Sequence, residues 1–293
     1  MKKLLYLSLL LLTFFNGFSQ GPESYLWKRD ENLEVIIAAK NCYVRTEPSV
    51  NGKIVDSLQL GKKGLLLKIT DQTLKLKGIE AQWVEISFNN NGISNSGYIW
   101  QGFLALDFKT IKDLTFLTSL EKIELKQEVE FTTKKHNISV KVLNPSNEIL
   151  DSKEYKNNLS ESYFFQDKCI GDLGLKNISE IYRISFSGEA CGIPTYYLYY
   201  AWNNKNLIVL PEKYQVGDAD VYYHIENFIF PKEAGGKPDQ IIKVIEEAEE
   251  IEKKDSNGEF MMKISKWNES YSWNGLKAIL TKKDKIKTTI SSK

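Results

Sequence analysis

Apolar and polar residues alternate in short runs along most of this chain, and clusters of Gly, Asn, Asp and Pro separate the runs. Because successive side chains of a β-strand point to opposite faces of its sheet, this two-residue period is typical of strands. The runs continue from residue 109 towards the C-terminus, with turn clusters such as 144–147 and 257–258 between them. The pattern predicts an all-β fold.

Residues 239–254 fit two different structures. Apolar side chains in this segment recur at helical spacing: Ile241, Val244, Ile245, Ala248 and Ile251. Asp239 stands at the position that caps a helix, and the Glu and Lys residues that follow favour one. A long hairpin with residues 260–267, formed through the turn at 254–258, fits the all-β prediction equally well. The sequence alone does not decide whether this segment is a helix or a strand.

The N-terminus has the pattern of a secretory signal. Two lysines precede a short apolar run up to residue 15, and small residues stand just before Gln20. The run is shorter than the ~20 apolar residues that span a bilayer. We therefore predict a signal peptide over residues 1–19 and a linker over residues 20–33. The protein is expected to be periplasmic or secreted, with no membrane insertion after the signal is removed.

The charge balance of the chain mainly excludes certain classes of partner. The chain has 39 Lys and Arg against 38 Asp and Glu, a near balance. Strong electrostatic attraction to nucleic acid or to an anionic membrane needs a basic excess, so we predict no nucleic-acid partner. One lysine-rich segment, residues 282–293, is predicted to be a solvated terminal segment.

The three cysteines offer one candidate disulfide and no convincing nucleophile. Cys169 and Cys191 fall in the same predicted domain and flank a strand-like run, so they are the candidates for a disulfide in an oxidising compartment. Cys42 stands among apolar neighbours, which is typical of a buried thiol. A catalytic cysteine needs a histidine base, and neither His136 nor His224 stands in a spacing that identifies such a pair.

Five motifs follow one another between residues 35 and 106. In chain order they read Cys-Tyr-Val-Arg-Thr-Glu-Pro-Ser (42–49), Lys-Ile-Val-Asp-Ser-Leu-Gln-Leu-Gly (53–61), Trp-Val-Glu-Ile (83–86), Gly-Tyr-Ile-Trp (97–100) and Phe-Leu (103–104). This series resembles the bacterial SH3-like (SH3b) domain. The resemblance implies an N-terminal small SH3-like β-barrel over residues 34–108, followed by a larger β-rich domain over residues 109–293. Residues 71–82 and 89–96 lengthen two hairpins relative to the family pattern.

SH3b domains commonly recognise cell-wall peptides, so the resemblance implies an exported, non-catalytic binding protein. Its expected partner is a cell-wall (peptidoglycan) peptide or an envelope protein. In this interpretation Tyr43, Tyr98 and Trp100 form an aromatic contact face, since amphipathic aromatic residues are frequent at binding surfaces. Arg45 and Glu47 belong to the adjoining polar loop, where they fix the loop or add selectivity.

A second, weaker resemblance lies in the C-terminal part. Residues 172–181 resemble a degenerate integrin-type (FG-GAP-like) β repeat, whose intact form binds calcium. Gly174 and Lys176 stand where calcium would need carboxylates, so we predict no metal site. No motif for a cofactor is present, and we predict none.

Two other functions stay open. If the C-terminal domain is catalytic, the protein is a cell-wall hydrolase or another enzyme. If that domain instead binds a partner protein, the protein is an assembly factor. A glycoside hydrolase needs two carboxylates across a cleft, and the sequence alone brings no two of its acidic candidates together. Those candidates are Asp167, Asp172, Glu180, Asp218, Asp220 and Glu226. We therefore name no catalytic residue and expect a protein that is not an enzyme.

Overall fold

The computed structural model describes residues 23–28, 30–90, 92–127, 132–219 and 221–292. The predicted signal peptide, residues 1–19, lies outside the described residues. Regular structure in the described ranges consists of β-strands and two short 3₁₀ turns, Glu23–Leu26 and Gln101–Phe103, which confirms the all-β prediction. In these same ranges no helix has the length and apolar character needed to cross a membrane.

The first sheet contains six antiparallel strands in the order β1-β4-β5-β6-β2-β3. Their bounds are β1 (Glu34–Ile36), β2 (Asn41–Arg45), β3 (Ile54–Gln59), β4 (Lys63–Leu76), β5 (Ile79–Asn90) and β6 (Ile93–Trp100). Only three residues connect β3 to β4, a reach of at most about 14 Å, whereas four strand spacings in a flat sheet amount to about 19 Å. The sheet must therefore curl on itself, as in the small barrel that was predicted.

The remaining strands form two further sheets. The second sheet has the order β10-β9-β8-β7, with β7 (Asp107–Ile111), β8 (Leu114–Gln127), β9 (Thr132–Leu143) and β10 (Ile149–Asn157). The third sheet has ten strands: β11 (Phe164–Cys169), β12 (Glu180–Ser187), β13 (Thr195–Trp202), β14 (Leu207–Val209), β15 (Lys213–Asp218), β16 (Tyr222–Ile229), β17 (Gln240–Lys254), β18 (Phe260–Trp273), β19 (Ala278–Lys283) and β20 (Lys287–Ser291). The boundary predicted at residue 108 falls inside β7.

The segment that the sequence left open between helix and strand is a strand, and the lysine-rich C-terminal segment also contains strand residues. Residues 240–254 are β17, which pairs with β18 along most of its length and with β16 over residues 242–249. Pairing on both sides satisfies the backbone of β17 and outweighs the helix-favouring composition of the segment. The lysine-rich C-terminal segment includes the end of β19 and all of β20. Both strands pair with β18 and keep most of their side chains exposed.

One apolar core contains residues of all three sheets. It includes Val84 of the first sheet, Phe116 of the second and Tyr182 of the third, and the Phe116 and Tyr182 rings stack with centroids 5.5 Å apart. Part of the predicted linker joins this core. Trp27 is buried, and its indole N–H donates to the Leu104 carbonyl oxygen at 3.1 Å.

The turn between β4 and β5 attaches the first sheet to the second. The Lys77 carbonyl oxygen accepts a hydrogen bond from the Ile123 N–H of β8 at 3.0 Å. Gly78, with φ of +78°, lies so close to β8 that a Cβ atom there would be 2.1 Å from the Ile123 carbonyl oxygen. A side chain at this position is incompatible with the contact, and the positive φ also favours glycine.

The predicted disulfide between Cys169 and Cys191 is wrong, because all three cysteines are free. Cys169 ends β11 opposite Tyr182, near the start of β12, whereas Cys191 lies in the turn beyond Ser187, where β12 ends. Five residues of strand, about 17 Å, separate these two positions on β12, while a disulfide requires Cα atoms within about 7 Å. Cys42 is buried as expected, and burial raises the pKa of its thiol to about 12.

Replacing Gly78 with Ala should destabilise the protein more than replacing Gly92. Both glycines have positive φ, +78° and +82°, but a Cβ on Gly92 would meet nothing within 4 Å. Gly92→Ala therefore costs only the backbone strain, about 1 kcal/mol, and Gly78→Ala adds the loss of the contact with β8. Urea unfolding midpoints measure the two effects. Equal losses in the two variants would show that the Gly78 contact is not part of the fold.

A thiol reagent should modify one cysteine quickly in the native protein. Cys191 is exposed, whereas Cys42 is buried and Cys169 is half-buried, and burial raises the pKa of both shielded thiols to about 12. Since the thiolate is the reactive form, Cys42 and Cys169 should react only on unfolding. Mass spectrometry after labelling with and without denaturant locates the modified residues. Detection of a peptide in which Cys169 and Cys191 are joined by a disulfide would contradict this expectation.

Candidate functional site

Three of the five residues predicted to bind a ligand lie on the outer face of the first sheet. Cys42 and Val44 of β2 point into the core, so the alternating residues Tyr43 and Arg45 point outwards. Arg45 lies opposite Tyr98 of β6, and Tyr98 in turn lies opposite Glu85 of β5. A cation, an aromatic ring and a carboxylate therefore follow one another across three neighbouring strands.

A groove of about 410 Å³ follows this row of side chains. Arg45, Glu85 and Tyr98 line it together with Val55 and Phe88, which add apolar surface. Beside the groove, β6 approaches β2 closely: a Cβ on Gly97 would lie 2.6 Å from Val44 Cγ1 and 2.9 Å from the Arg45 carbonyl oxygen. With Asp56, which also lines the groove, the arrangement offers one cation, two carboxylates and a ring to a ligand that lies across the strands.

Arg45 also fixes the loop that follows β2. Its Nη1 donates to the Gly52 carbonyl oxygen at 2.7 Å, and the Thr46 N–H donates to the Lys53 carbonyl oxygen at 3.0 Å. Glu47 is exposed in this loop and does not line the groove. Tyr43 is 54% exposed on the same face as Arg45, beside the groove.

Trp100 is not part of this exposed face, and that prediction is wrong. Its side chain is only 2% exposed, and its indole N–H donates to the carbonyl oxygens of Leu74 at 2.9 Å and Ala81 at 3.2 Å. The Phe103 ring packs against it edge to face, with centroids 5.1 Å apart. Tyr98 and Trp100 share one face of β6, but the lengthened β4–β5 hairpin covers that face at the Trp100 end.

A buried pair of carboxyl groups joins the second and third sheets. Asp107 of β7 and Asp167 of β11 are bridged by Lys109, whose Nζ lies 3.1 Å from Asp107 Oδ2 and 2.5 Å from Asp167 Oδ1. The Tyr182 hydroxyl donates to Asp167 Oδ2 at 2.7 Å, and Lys28 forms an ion pair with Asp107. The Asp167 side chain is 1% exposed, so this cluster is a structural junction rather than a surface open to substrate.

The two carboxyl groups titrate differently. Burial, together with the charge of Asp107, raises the pKa of Asp167 to about 6. Burial also acts to raise the pKa of Asp107, but the hydrogen bonds from Lys28 and Asp167 and the charge of Lys109 outweigh it and lower the pKa. Two adjacent carboxylates repel, so the pair retains one proton more readily than a single Asp does.

A second charged cluster lies within the third sheet. The His224 ring lies parallel to the Tyr214 ring at 4.4 Å, and its Nε2 and Nδ1 are 3.3 Å from Glu226 Oε1 and 3.5 Å from Glu247 Oε2. Lys243 Nζ is 3.4 Å from Glu226 Oε2, and both Glu226 and His224 are buried. These residues come from three neighbouring strands, β15, β16 and β17. Only the spacing of His224 and Glu226, two residues apart on one strand, could be read from the sequence.

The loop that resembles a calcium-binding repeat uses its acidic residues for its own structure. Asp172 Oδ1 accepts hydrogen bonds from the Gly174 N–H at 2.5 Å and from Lys232 Nζ at 2.7 Å. Glu180 Oε1 accepts from the Gly171 N–H at 2.5 Å. In the described part of the chain, no group of three or more His, Cys, Asp and Glu side chains is arranged to hold a metal ion.

Comparisons of the chain with protein-family models, with curated proteins and with solved structures find no match. The resemblance to SH3b domains therefore depends on the five sequence motifs.

Replacing Asp167 with Asn should stabilise the protein increasingly as the pH rises from about 4 to about 7. Because the folded-state pKa of Asp167 is raised from 3.8 to about 6, its contribution to stability is present at low pH and is lost as the pH rises through this interval. Asn resembles the protonated acid and still accepts from Tyr182. The lowered pKa of Asp107 acts in the opposite direction, and its contribution is lost only at more acidic pH.

The measurement is the free energy of unfolding of the variant minus that of the wild type at several pH values. Asp113→Asn, on the exposed turn between β7 and β8, is the matched control. A difference that stays constant with pH, or that falls as the pH rises, would contradict the raised pKa of Asp167.

Proposed function

We propose that this chain is an exported, non-catalytic binding protein whose N-terminal barrel takes up a short cell-wall peptide in the groove at Arg45, Tyr98 and Glu85. The observation that carries the proposal is the cross-strand row of these three side chains on an exposed face. The motifs of the first sheet resemble those of SH3b domains, which commonly recognise such peptides. The signal-like N-terminus supports action outside the cytoplasm.

The chemistry of the groove suits a peptide that carries both charges. Neighbouring strands are about 4.8 Å apart, so the backbones of Arg45 and Glu85 are separated by roughly 10 Å, with Tyr98 between them. This distance fits two or three peptide residues with a carboxylate near Arg45 and an ammonium group near Glu85. The Tyr98 ring supplies contact area between the two charges with few rotatable bonds to immobilise.

The three side chains of the row are half-buried and lie at the surface, which is why binding is proposed rather than catalysis. Ion pairs that remain open to water contribute at most about 1 kcal/mol each, so affinity must come from several such contacts together. Arg45 is already held by the Gly52 carbonyl oxygen and is therefore preorganised for a ligand. An insoluble wall polymer carries many copies of the peptide, so a moderate affinity for each copy is sufficient for attachment to the polymer.

Co-sedimentation with purified peptidoglycan sacculi tests this function. The chain from Gln20 onwards should sediment with sacculi, and Tyr98→Ala combined with Glu85→Gln should reduce the bound fraction at least about fivefold, a loss of about 1 kcal/mol. Tyr222→Ala, at a partly exposed tyrosine of the third sheet, should bind as the wild type does. Circular dichroism verifies that the variants are folded.

Absence of sedimentation by the folded wild type would refute recognition of the wall. Undiminished binding by the double variant would place the binding surface elsewhere and refute the groove. High salt should weaken binding, because the proposed contacts are exposed charges.

A further inference from the structure

A larger cavity, of about 770 Å³, lies between the first and second sheets. Trp100 and Phe103 line it from the first sheet, and Ser119, Lys141 and Ile149 line it from the second. Pockets that bind small molecules have volumes of about 300–1,000 Å³, with mainly apolar walls and a few convergent polar groups. This inter-sheet cleft has that size and that composition.

The polar groups of the inter-sheet cleft are concentrated at one point. Lys141 of β9 is buried, and its Nζ donates to Ser119 Oγ at 2.8 Å and forms an ion pair with Glu121. The Ser119 hydroxyl in turn donates to Glu121 Oε1 at 2.7 Å. An ammonium group has three donors, and within the described residues the third donor of Lys141 has no acceptor. Burying a charge is costly, which argues for a use of this lysine beyond packing.

A β-bulge places Glu121 in this group. In the pairing of β8 with β9, Leu120 lies opposite Ile138 and Lys122 lies opposite Asn137, so Glu121 is an extra residue without a partner. A bulge changes the direction in which nearby side chains point, and bulges are frequent next to functional sites. Here the bulge brings the Glu121 carboxylate towards Ser119 and Lys141 on the face that borders the cleft.

The charge of the inter-sheet cleft favours an anion. Three lysines, Lys40, Lys77 and Lys141, line it together with two glutamates, Glu121 and Glu148. Lys40 and Lys77 form no ion pair with any described residue, so their ammonium groups are available to a ligand. Burial acts to raise the pKa of Glu121, but the ion pair with Lys141 outweighs it and the pKa is lowered. The positive charge of Lys77 adds to this lowering.

We propose that the inter-sheet cleft binds a small amphipathic carboxylate. The carboxylate accepts from the free donor of Lys141 and from Lys77, and the apolar body lies against Trp100, Phe103 and Ile149. A fatty acid and the C-terminus of a short apolar peptide share this chemistry. The cleft and the groove at Tyr98 share no lining residue, so this proposal does not depend on the proposed function.

Isothermal titration calorimetry with two pairs of probes tests the proposal. Octanoate is compared with octan-1-ol, and N-acetyl-leucyl-leucine with its C-terminal amide. At least one carboxylate should bind, at least about tenfold more tightly than its neutral counterpart, because only the carboxylate accepts from Lys141 and Lys77. Binding of octanoate identifies an acyl ligand, and binding of the dipeptide identifies a peptide C-terminus.

Two variants and a control locate the site. Lys141→Met should weaken binding at least about tenfold, and Lys77→Gln, at an exposed turn, about threefold, because its charge is more strongly screened. Lys205→Gln, in an exposed turn of the third sheet, should bind as the wild type does. Lys77→Gln leaves the buried group intact, so the test remains valid if Lys141→Met fails to fold.

Three results would overturn the proposal. They are no binding of either carboxylate at millimolar concentration, equal binding of the neutral counterparts, and undiminished binding by folded Lys77→Gln and Lys141→Met. Sedimentation with sacculi does not involve this cleft and gives an independent result.

Discussion

The close contact between the β4–β5 turn and β8 is the constraint on which much of the structure depends. A glycine at residue 78 lets two backbones approach closely enough for Lys77 to accept a hydrogen bond from Ile123. This contact holds the long hairpin over Trp100, whose indole N–H then finds its acceptors on the hairpin backbone. It also sets the separation between the first and second sheets, and therefore the width of the cleft between them.

Two groups of buried charges lie where sheets meet, and each is held by partners from a different strand. Asp107, Asp167 and Lys109 join the second sheet to the third, and Lys141 with Glu121 faces the first. Such groups contribute little to net stability, because desolvation offsets most of the attraction between them. They penalise every arrangement that leaves one charge unpaired. We infer that they act mainly to select one way of placing the three sheets against one another.

The sequence predicted local features well and long-range ones poorly. Alternation and turn residues were sufficient to predict an all-β chain, and the outward direction of Tyr43 and Arg45 follows from their neighbours Cys42 and Val44. The same rule failed for Trp100, because what covers a strand face depends on a hairpin that is distant along the chain. The carboxyl pair of Asp107 and Asp167 could not be foreseen either, since sixty residues separate its members. Helical spacing in residues 240–254 was outweighed by pairing with two neighbouring strands.

The lysine-rich segment at the end of the third sheet has a consequence for self-association. In the described residues, β19 and β20 lie end to end along β18 and form the margin of the sheet. The margin of a sheet presents unpaired N–H and C=O groups to any strand of another molecule, which is how fibrils begin. Lys282, Lys283 and Lys287 stand on these two strands and are exposed. Lys282 and Lys283 form ion pairs with Asp284 and Glu269. A second strand that pairs with this margin would have to desolvate these charged groups, so the segment opposes aggregation.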